Sequence, residues 1–154
     1  MIKIEVFGSK KREMTTVISQ IIREAAKVFK KDNFQVDVCL INNREMLKLN
    51  RRFRGRNKLT SILSFPSSTK FLYPKNFLPY QGEIFLNLSF IKKEAKSNKI
   101  PLQQNMAILL IHGLLHLFGF NHKNKKETLK MEAREEKILS SRTLLSFLSK
   151  FGVK

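Results

Sequence analysis

The sequence predicts an α+β fold, in which about four strands form a small mixed β-sheet that packs with about five helices. Two observations predict it. Short runs in the first ninety residues alternate apolar and polar side chains, as half-buried strands do. The later part of the chain instead shows apolar residues at helical spacing. Because 154 residues suit one domain of ordinary size, we expect residues 1–154 to form a single domain.

The first half of the chain alternates strands and helices. Residues 2–7 and 34–41 have strand alternation, and residues 15–30 between them predict a helix. The apolar face of that helix comprises Ile18, Ile21, Ile22, Ala25 and Phe29. Asn42 and Glu45 have the spacing of a capping box, which predicts a short helix that runs into the basic segment NRRFRGRNK.

The middle of the chain predicts two further strands, SILSFP ending at Pro66 and GEIFLNL. Residues 67–81 between them predict a loop or lid, because they combine prolines with aromatic residues. Those aromatic residues are Phe71, Tyr73, Phe77 and Tyr80.

The last part of the chain predicts two helices. Pro101 suits a first helical turn, where its missing N–H costs nothing, and the apolar run to about residue 118 predicts a central, buried helix. Gly119 is its expected left-handed end. Asn124 and Glu127 then predict the cap of one last helix. Its apolar positions at heptad spacing are Met131, Ile138 and Leu145.

The net charge indicates a polyanionic partner. Thirty Lys and Arg residues against twelve Asp and Glu residues leave a formal charge of +18. Self-repulsion at this charge lowers stability, and binding to nucleic acid or to anionic lipid compensates for it. Since neither terminus offers a clear basic amphipathic helix, we favour nucleic acid over a membrane.

The sequence also indicates the reducing cytoplasm as the compartment. No run approaches the ~18 consecutive apolar residues of a membrane span. Residues 1–11 lack the basic and apolar segments of a signal peptide. Cys39 is the single cysteine, so it cannot form an internal disulfide.

All histidines of the chain lie in one run, HGLLHLFGFNH, residues 112–122. On a helix, His112 and His116 are one turn apart and project from the same face. Gly119 then ends the helix, so that the chain can fold back and bring His122 to the same point. Three neutral imidazoles suit zinc and leave a fourth position for water, as in catalytic sites. We therefore expect one Zn²⁺ per chain at these histidines.

Two alternatives accompany the zinc interpretation. A lone histidine on an apolar helix is usually a core residue, but three of them without a metal would leave several buried ring nitrogens unsatisfied. The spacing H-x-x-x-H-x-x-G-x-x-H also occurs in metzincin peptidases, where a Glu after the first His is the general base. Gly113 holds that position here, so a peptidase would need a carboxylate from another segment.

The histidine run resembles the signature of the YbeY family of metal-dependent endoribonucleases, H-G-x-L-H-L-x-G-[YF]-D-H, at ten of eleven positions. The segments FRGRNKLTSILSFP, GEIFLNL and MEAREEKIL resemble further family blocks in the same order, over roughly residues 40 to 140. Three positions depart from the family pattern. Asn121 and Ser61 replace aspartates, and Leu59 replaces a proline.

The resemblance implies a zincin-like metal hydrolase fold. It also implies a zinc-dependent, single-strand-specific endoribonuclease that matures ribosomal RNA, notably near the 3′ end of small-subunit RNA, and acts in ribosome quality control. The implied partners are ribosomal RNA and the small subunit or assembly proteins. The nucleophile stays open between an activated water and a ribose 2′-hydroxyl. A zinc peptidase, or a non-catalytic RNA-binding assembly factor, remains an alternative, the latter because Asn121 removes a carboxylate beside a ligand.

Candidate site residues also lie outside the histidine run. Arg54 aligns with a family arginine that faces the metal cleft, so it is the candidate catalytic residue that holds the phosphate and stabilises transition-state charge. Ser64 is a candidate hydrogen-bond donor to substrate. Candidate phosphate-binding cations are Arg51, Arg52, Arg56 and Lys58. Candidate supports of the imidazoles are Asn121, Glu132 and Glu135. The structural alternatives are that the cations are only solvated, and that the glutamates form surface ion pairs with Lys or Arg one helical turn away.

Overall fold

The computed structural model describes residues 1–8, 11–68, 74 and 76–153. These residues form a mixed sheet of four strands and six helices. The strands are β1 (Ile2–Phe7), β2 (Phe34–Ile41), β3 (Ile62–Pro66) and β4 (Tyr80–Asn87). The helices are α1 (Arg12–Phe29), α2 (Asn43–Arg54), α3 (Leu88–Ser97), α4 (Leu102–Leu117), α5 (Lys125–Leu139) and α6 (Arg142–Ser149).

The strand order in the sheet is β1-β2-β4-β3. β1 pairs with β2, and β2 with β4, in parallel, whereas β3 pairs with β4 in the antiparallel direction. This order makes β3 an edge strand. Because the sheet is small and mixed and the helices dominate the later chain, the predicted α+β class is confirmed.

The hydrophobic core lies between the sheet and the helices α1 and α4. Phe34, Val36 and Val38 of β2 are buried, as are Ile84 and Leu86 of β4. The predicted apolar face of α1 is buried from Ile18 to Ala25, and α4 contacts α1, α3, α5, β3 and β4. The expected central position of α4 is therefore confirmed, and it fixes the histidine helix rigidly against β3.

The helix ends follow the predicted signals. Asn42 and Glu45 form a complete capping box at the start of α2. The Asn124 side chain accepts a hydrogen bond from the backbone N–H of Glu127 at the start of α5. Beyond α4, Gly119 has a φ of 93°, in the left-handed region that glycine adopts without strain.

The helices differ from the sequence prediction in two places. The sequence predicted one last helix, but the chain bends at Ser140 and Ser141, and Leu145 lies in the separate helix α6. The Ser141 side chain accepts a hydrogen bond from the Leu144 N–H and caps this new helix. Helix α3 was not predicted, and it begins directly after β4, capped by the Asn87 side chain.

The predicted loop between β3 and β4 is described in part. Phe71 and Tyr73 lie outside the described residues, whereas Phe77 is exposed and Tyr80 begins β4. None of the described helices is long and apolar enough to cross a membrane.

Candidate functional site

The histidines meet where helix α4 ends. His112 and His116 lie one turn apart near the C-terminus of α4. After the helix, the backbone N–H of Phe120 donates to the carbonyl oxygen of Leu115 at 3.0 Å, which turns the chain back on itself. His122 is thereby returned toward the two helical histidines.

The three imidazoles converge on one point. One ring nitrogen from each of His112, His116 and His122 lies within 4.8 Å of the others. The ring centroids are 4.7 Å apart for His112 and His116, 5.0 Å for His116 and His122, and 5.9 Å for His112 and His122. The predicted convergence of the histidines is therefore present in the structure.

The ring nitrogens of the helical histidines have separate partners. The Nε2 atoms of His112 and His116 face each other at 3.1 Å. On the outer side, His112 Nδ1 lies 2.5 Å from Glu135 Oε1, and His116 Nδ1 lies 3.0 Å from the Phe120 carbonyl oxygen. When Nδ1 donates to an oxygen, Nε2 carries the lone pair that binds a metal.

The protonation of His116 suits a metal ligand. Burial lowers the pKa of His116, and the neighbouring His112 and His122 lower this pKa further. A lowered pKa keeps the imidazole neutral at pH 7, and a neutral imidazole is the form that coordinates a metal.

The spacing of the Nε2 atoms fits a tetrahedral metal ion. Two nitrogen ligands of zinc, each at about 2.0–2.1 Å, lie roughly 3.3–3.4 Å apart at the tetrahedral angle. The observed separation of 3.1 Å between His112 Nε2 and His116 Nε2 is close to this value. Because one ring nitrogen of His122 lies within 4.8 Å of the ring nitrogens of the other two, the three histidines could hold one metal ion.

Gly113 allows the close approach of α4 and β3 beside the histidines. A Cβ atom placed at Gly113 would lie 2.8 Å from Ser64 Oγ and 2.9 Å from Ile62 Cδ1. A larger residue at position 113 would require the ends of the Ser64 and Ile62 side chains to move. A glutamate at this position, as in a metzincin peptidase, would crowd both side chains.

A basic cleft of about 740 Å³ opens above the histidines. Its walls come from the last turn of α2, the segment after it, β3 and the chain beyond α4. Besides the histidines, its polar and charged lining residues include Asn50, Arg54, Arg56, Lys58, Thr60, Ser64, Asn121 and Lys123. Four of these are cations, so the cleft suits a polyanion.

Arg54 is held at the edge of the cleft. Its guanidinium donates a hydrogen bond to the Ser64 carbonyl oxygen at 3.1 Å and lies 5.5 Å from the ring centroid of Phe65. These contacts hold the guanidinium at the edge of β3, in the cleft that the histidines also line. Ser64 itself lines the cleft and lies next to Gly113.

Some sequence candidates lie away from this site. Arg51 donates from Nε to the Asn57 side chain, and Arg52 lies over the ring of Phe53; neither residue lines the cleft. Of the two candidate glutamates, Glu135 contacts His112, whereas Glu132 is exposed on α5. Asn121 lines the cleft, and its side chain donates to the Gly119 carbonyl oxygen at 3.4 Å.

Three contributors to the site were not predicted. The Phe120 carbonyl is a backbone group, which residue type does not reveal. Lys123 lies directly after His122, and its position in the chain could have suggested it. Asn50 is buried on the inner face of α2, where it donates to the Lys58 carbonyl oxygen at 2.7 Å and so shapes the basic segment. The sequence signal for the burial of Asn50 was its position one helical turn after Met46, on the same face of α2.

The fold and the site together define a class. An α+β chain with three converging imidazoles that line a basic cleft has the features of proteins that can hold a metal ion through three histidines. The comparisons with known proteins give the family. The family described as Endoribonuclease YbeY matches residues 3–143, and the chain belongs to this family.

Individual relatives agree with this assignment. The chain is 34% identical over 120 residues to an Endoribonuclease YbeY of Buchnera aphidicola subsp. Baizongia pistaciae, covering 78% of this chain and 76% of the relative. It is 32% identical over 146 residues to that of Pelagibacter ubique, covering 90% and 94%. The solution structure of TM1509 from Thermotoga maritima shares the fold, with a TM-score of 0.65 at 22% identity over 96% of this chain and 92% of that one.

Proposed function

We propose that this protein is a zinc-dependent, single-strand-specific endoribonuclease that works as one domain in the cytoplasm. Its proposed task is ribosomal RNA maturation near the 3′ end of small-subunit RNA, and ribosome quality control, in contact with the small subunit or its assembly proteins. The observation that carries the proposal is the cluster His112, His116 and His122 at the floor of a cleft lined by cations. Membership of the Endoribonuclease YbeY family supports it.

The residues of the chain have distinct parts in this proposal. His112, His116 and His122 would hold the ion, and Glu135 orients the ring of His112. Zn²⁺, when bound, supplies Lewis acidity and lowers the pKa of water at its open position. Arg54 holds the scissile phosphate and stabilises negative charge that develops on its oxygens.

The other cations position the strand. Arg56, Lys58 and Lys123 line the same cleft as the histidines. None of the interactions described for these three cations joins them to a histidine. They neutralise phosphates on either side of the reacting one, which binds the RNA without dependence on base identity.

The attacking group is either water or the ribose 2′-hydroxyl, and the products distinguish them. Attack by water with departure of the 3′-oxygen leaves a 5′-phosphate on the downstream fragment and a 3′-hydroxyl on the upstream one. Attack by the 2′-hydroxyl leaves a 2′,3′-cyclic phosphate on the upstream fragment. Mapping both ends of the cleaved RNA identifies the nucleophile.

A peptidase is disfavoured by the residue at position 113. Its general base would follow the first histidine, where this chain has Gly113 and therefore no carboxylate. Glu135 contacts the site from another segment, but its carboxylate lies against His112 Nδ1, on the outer side of the ring. In this position it does not replace the missing base.

Two substitutions test the proposal. His116→Ala removes the middle ligand, so we expect loss of zinc and of RNA cleavage with RNA binding nearly intact, because binding rests on dispersed charges. Arg54→Ala should retain zinc and lose cleavage by about 10²–10³-fold. Zinc content by elemental analysis, cleavage of single-stranded RNA and binding by anisotropy provide the measurements.

The proposal fails if purified wild-type protein carries zinc but cleaves no RNA under any condition tested. It also fails if the His116→Ala protein supports ribosomal RNA maturation in cells as well as wild type does. Parallel loss of binding and cleavage in both folded variants would contradict the separation of catalysis from binding.

A further inference from the structure

Phe53 is an exposed aromatic residue beside the cleft. It lies in the last turn of α2, next to Arg54, and its relative exposure is 54%. Burial of a phenylalanine side chain is worth about 1.5–3 kcal/mol, so an exposed ring in the most basic segment of the chain forgoes part of this stabilisation.

The neighbours of Phe53 hold its ring at the edge of β3. Its centroid lies 5.2 Å from that of Phe65, at an interplanar angle of 64°. Phe65 in turn packs against Phe85 at 5.7 Å. Edge-to-face contacts of this kind fix the orientation of a ring, so Phe53 is exposed and also held in place.

One guanidinium group lies against Phe53 and another against its neighbour Phe65. The Arg52 guanidinium lies 5.3 Å from the centroid of Phe53, and the Arg54 guanidinium lies 5.5 Å from that of Phe65. Arg54 also lines the cleft of the histidines. Phe53 is the neighbour of Arg54 in the chain but does not line the cleft, so its ring is available to a nucleotide outside the cleft.

We propose that Phe53 is a stacking platform for one unpaired RNA base, adjacent to the nucleotide whose phosphate Arg54 holds. An exposed aromatic ring with one guanidinium group against it and a second against the adjacent Phe65 suits single-stranded nucleic acid, since every base has an aromatic face and every linkage a negative charge. In a duplex the base is stacked on its neighbours and paired, so the platform selects unpaired RNA. The inference rests on the proposed endoribonuclease function and gives a physical origin to its preference for single strands.

The test compares base-bearing and abasic strands. The probes are a fluorescent oligoadenylate of about twelve nucleotides and a ribose-phosphate strand of equal length without bases, and binding is measured by anisotropy. All proteins carry His116→Ala so that cleavage does not interfere. Phe53→Leu removes the ring but keeps an apolar side chain, and Phe53→Trp keeps an aromatic face. Phe7→Leu is the matched control, because Phe7 is 48% exposed on β1, at the opposite edge of the sheet.

The expected result is specific to bases. Phe53→Leu should weaken oligoadenylate binding by about 5- to 150-fold, the range for loss of one stacked base. Phe53→Trp and Phe7→Leu should bind within about twofold of the parent, and the abasic strand should bind all proteins alike. Each protein is compared on both strands, so a partial loss of folding affects both and cannot imitate this result.

Two results would overturn the inference: unchanged oligoadenylate affinity in Phe53→Leu, or an equal loss on both strands. Failure of the proposed function is recognised separately. In that case wild-type protein cleaves no RNA, whatever the substitutions at Phe53 do to binding.

Discussion

The two nitrogens of each helical histidine serve different purposes, and this division organises the site. His112 and His116 direct Nε2 inward, toward each other, and Nδ1 outward to an oxygen. For His116 the outer oxygen is the Phe120 carbonyl, which no side-chain substitution removes. For His112 it belongs to Glu135, so this support can be tested directly.

Replacing Glu135 should weaken metal binding. Glu135→Gln keeps the shape of the side chain but removes the negative charge that lies against Nδ1 of the His112 ring and orients it. We expect zinc affinity to fall roughly 10- to 100-fold, as measured by competition with a chromophoric chelator. Glu132→Gln is the matched control on the same helix, because Glu132 is exposed. A larger loss in the control than in Glu135→Gln would contradict the assignment.

Local chain geometry explains which site residues the sequence could predict. The spacing of His112 and His116 is one helical turn, so their common face follows from the helix alone. The choice between Glu132 and Glu135 depends on the rotation of α5 against α4, which is set by packing. The same holds for Arg51 and the other cations of α2, whose direction depends on how that helix lies on the sheet.

At the scale of elements, the contact between α4 and β3 determines how close the histidines come to the cleft wall. The Cβ of Gly113→Ala would crowd Ser64 Oγ and Ile62 Cδ1 at a cost of roughly 1–3 kcal/mol. Alanine gains about 1 kcal/mol over glycine inside a helix, so the fold should be destabilised by up to about 2 kcal/mol. Urea unfolding followed by circular dichroism measures this loss. The double variant Ile62→Val, Ser64→Ala lacks both contacting atoms. Adding Gly113→Ala to this double variant should therefore lower its free energy of unfolding by less than the same substitution does in wild type. An equal loss in both backgrounds would show that the crowding is not at these atoms.

A buried acid on α1 gives a pH-dependent prediction. Burial raises the pKa of Glu24, but hydrogen bonds from neighbours that include Lys27 and Gln20 outweigh burial and hold the pKa below its ordinary value of 4.5. A carboxyl with a depressed pKa stabilises the fold fully above its unfolded pKa, and this stabilisation is lost as the pH falls through the folded pKa. Glu24→Gln should therefore lower the free energy of unfolding by about 0.5–1 kcal/mol at pH 7, since Lys27 is largely exposed. The difference should shrink as the pH falls below 4.5, as measured by urea titrations of both proteins. A difference that grows on acidification would contradict the assignment.

The elements themselves were largely predictable, since alternation and helical spacing are local. The exceptions occur where a local pattern continues across a boundary. Leu88 extends the alternation of β4, yet the Asn87 side chain caps α3 at that point. Similarly, the heptad spacing from Met131 to Leu145 runs through the bend at Ser140 and Ser141, which separates α5 from α6. Tertiary packing decides both boundaries, and no pattern within a single segment records it.

At the scale of the whole molecule, the formal charge of +18 is distributed so that four cations line the cleft of the histidines. Arg54, Arg56, Lys58 and Lys123 reach into this cleft, whereas Lys93 and Lys96 of α3 do not line it. The cleft should therefore dominate binding to a short single strand.

The salt dependence of RNA binding tests this distribution. Each phosphate neutralised on a single strand releases counterions and contributes about −0.7 to the slope of log K against log salt concentration. Four cleft cations predict a slope near −2.8, so affinity for a short oligoribonucleotide should fall roughly 50-fold between 50 and 200 mM salt. In the variant Arg56→Ala, Lys58→Ala the slope should become shallower by about 1.4. The variant Lys93→Ala, Lys96→Ala carries the same charge change outside the cleft and should keep the wild-type slope. Anisotropy titrations at several salt concentrations measure all three, and equal slopes for the two variants would show that the RNA does not bind in the cleft.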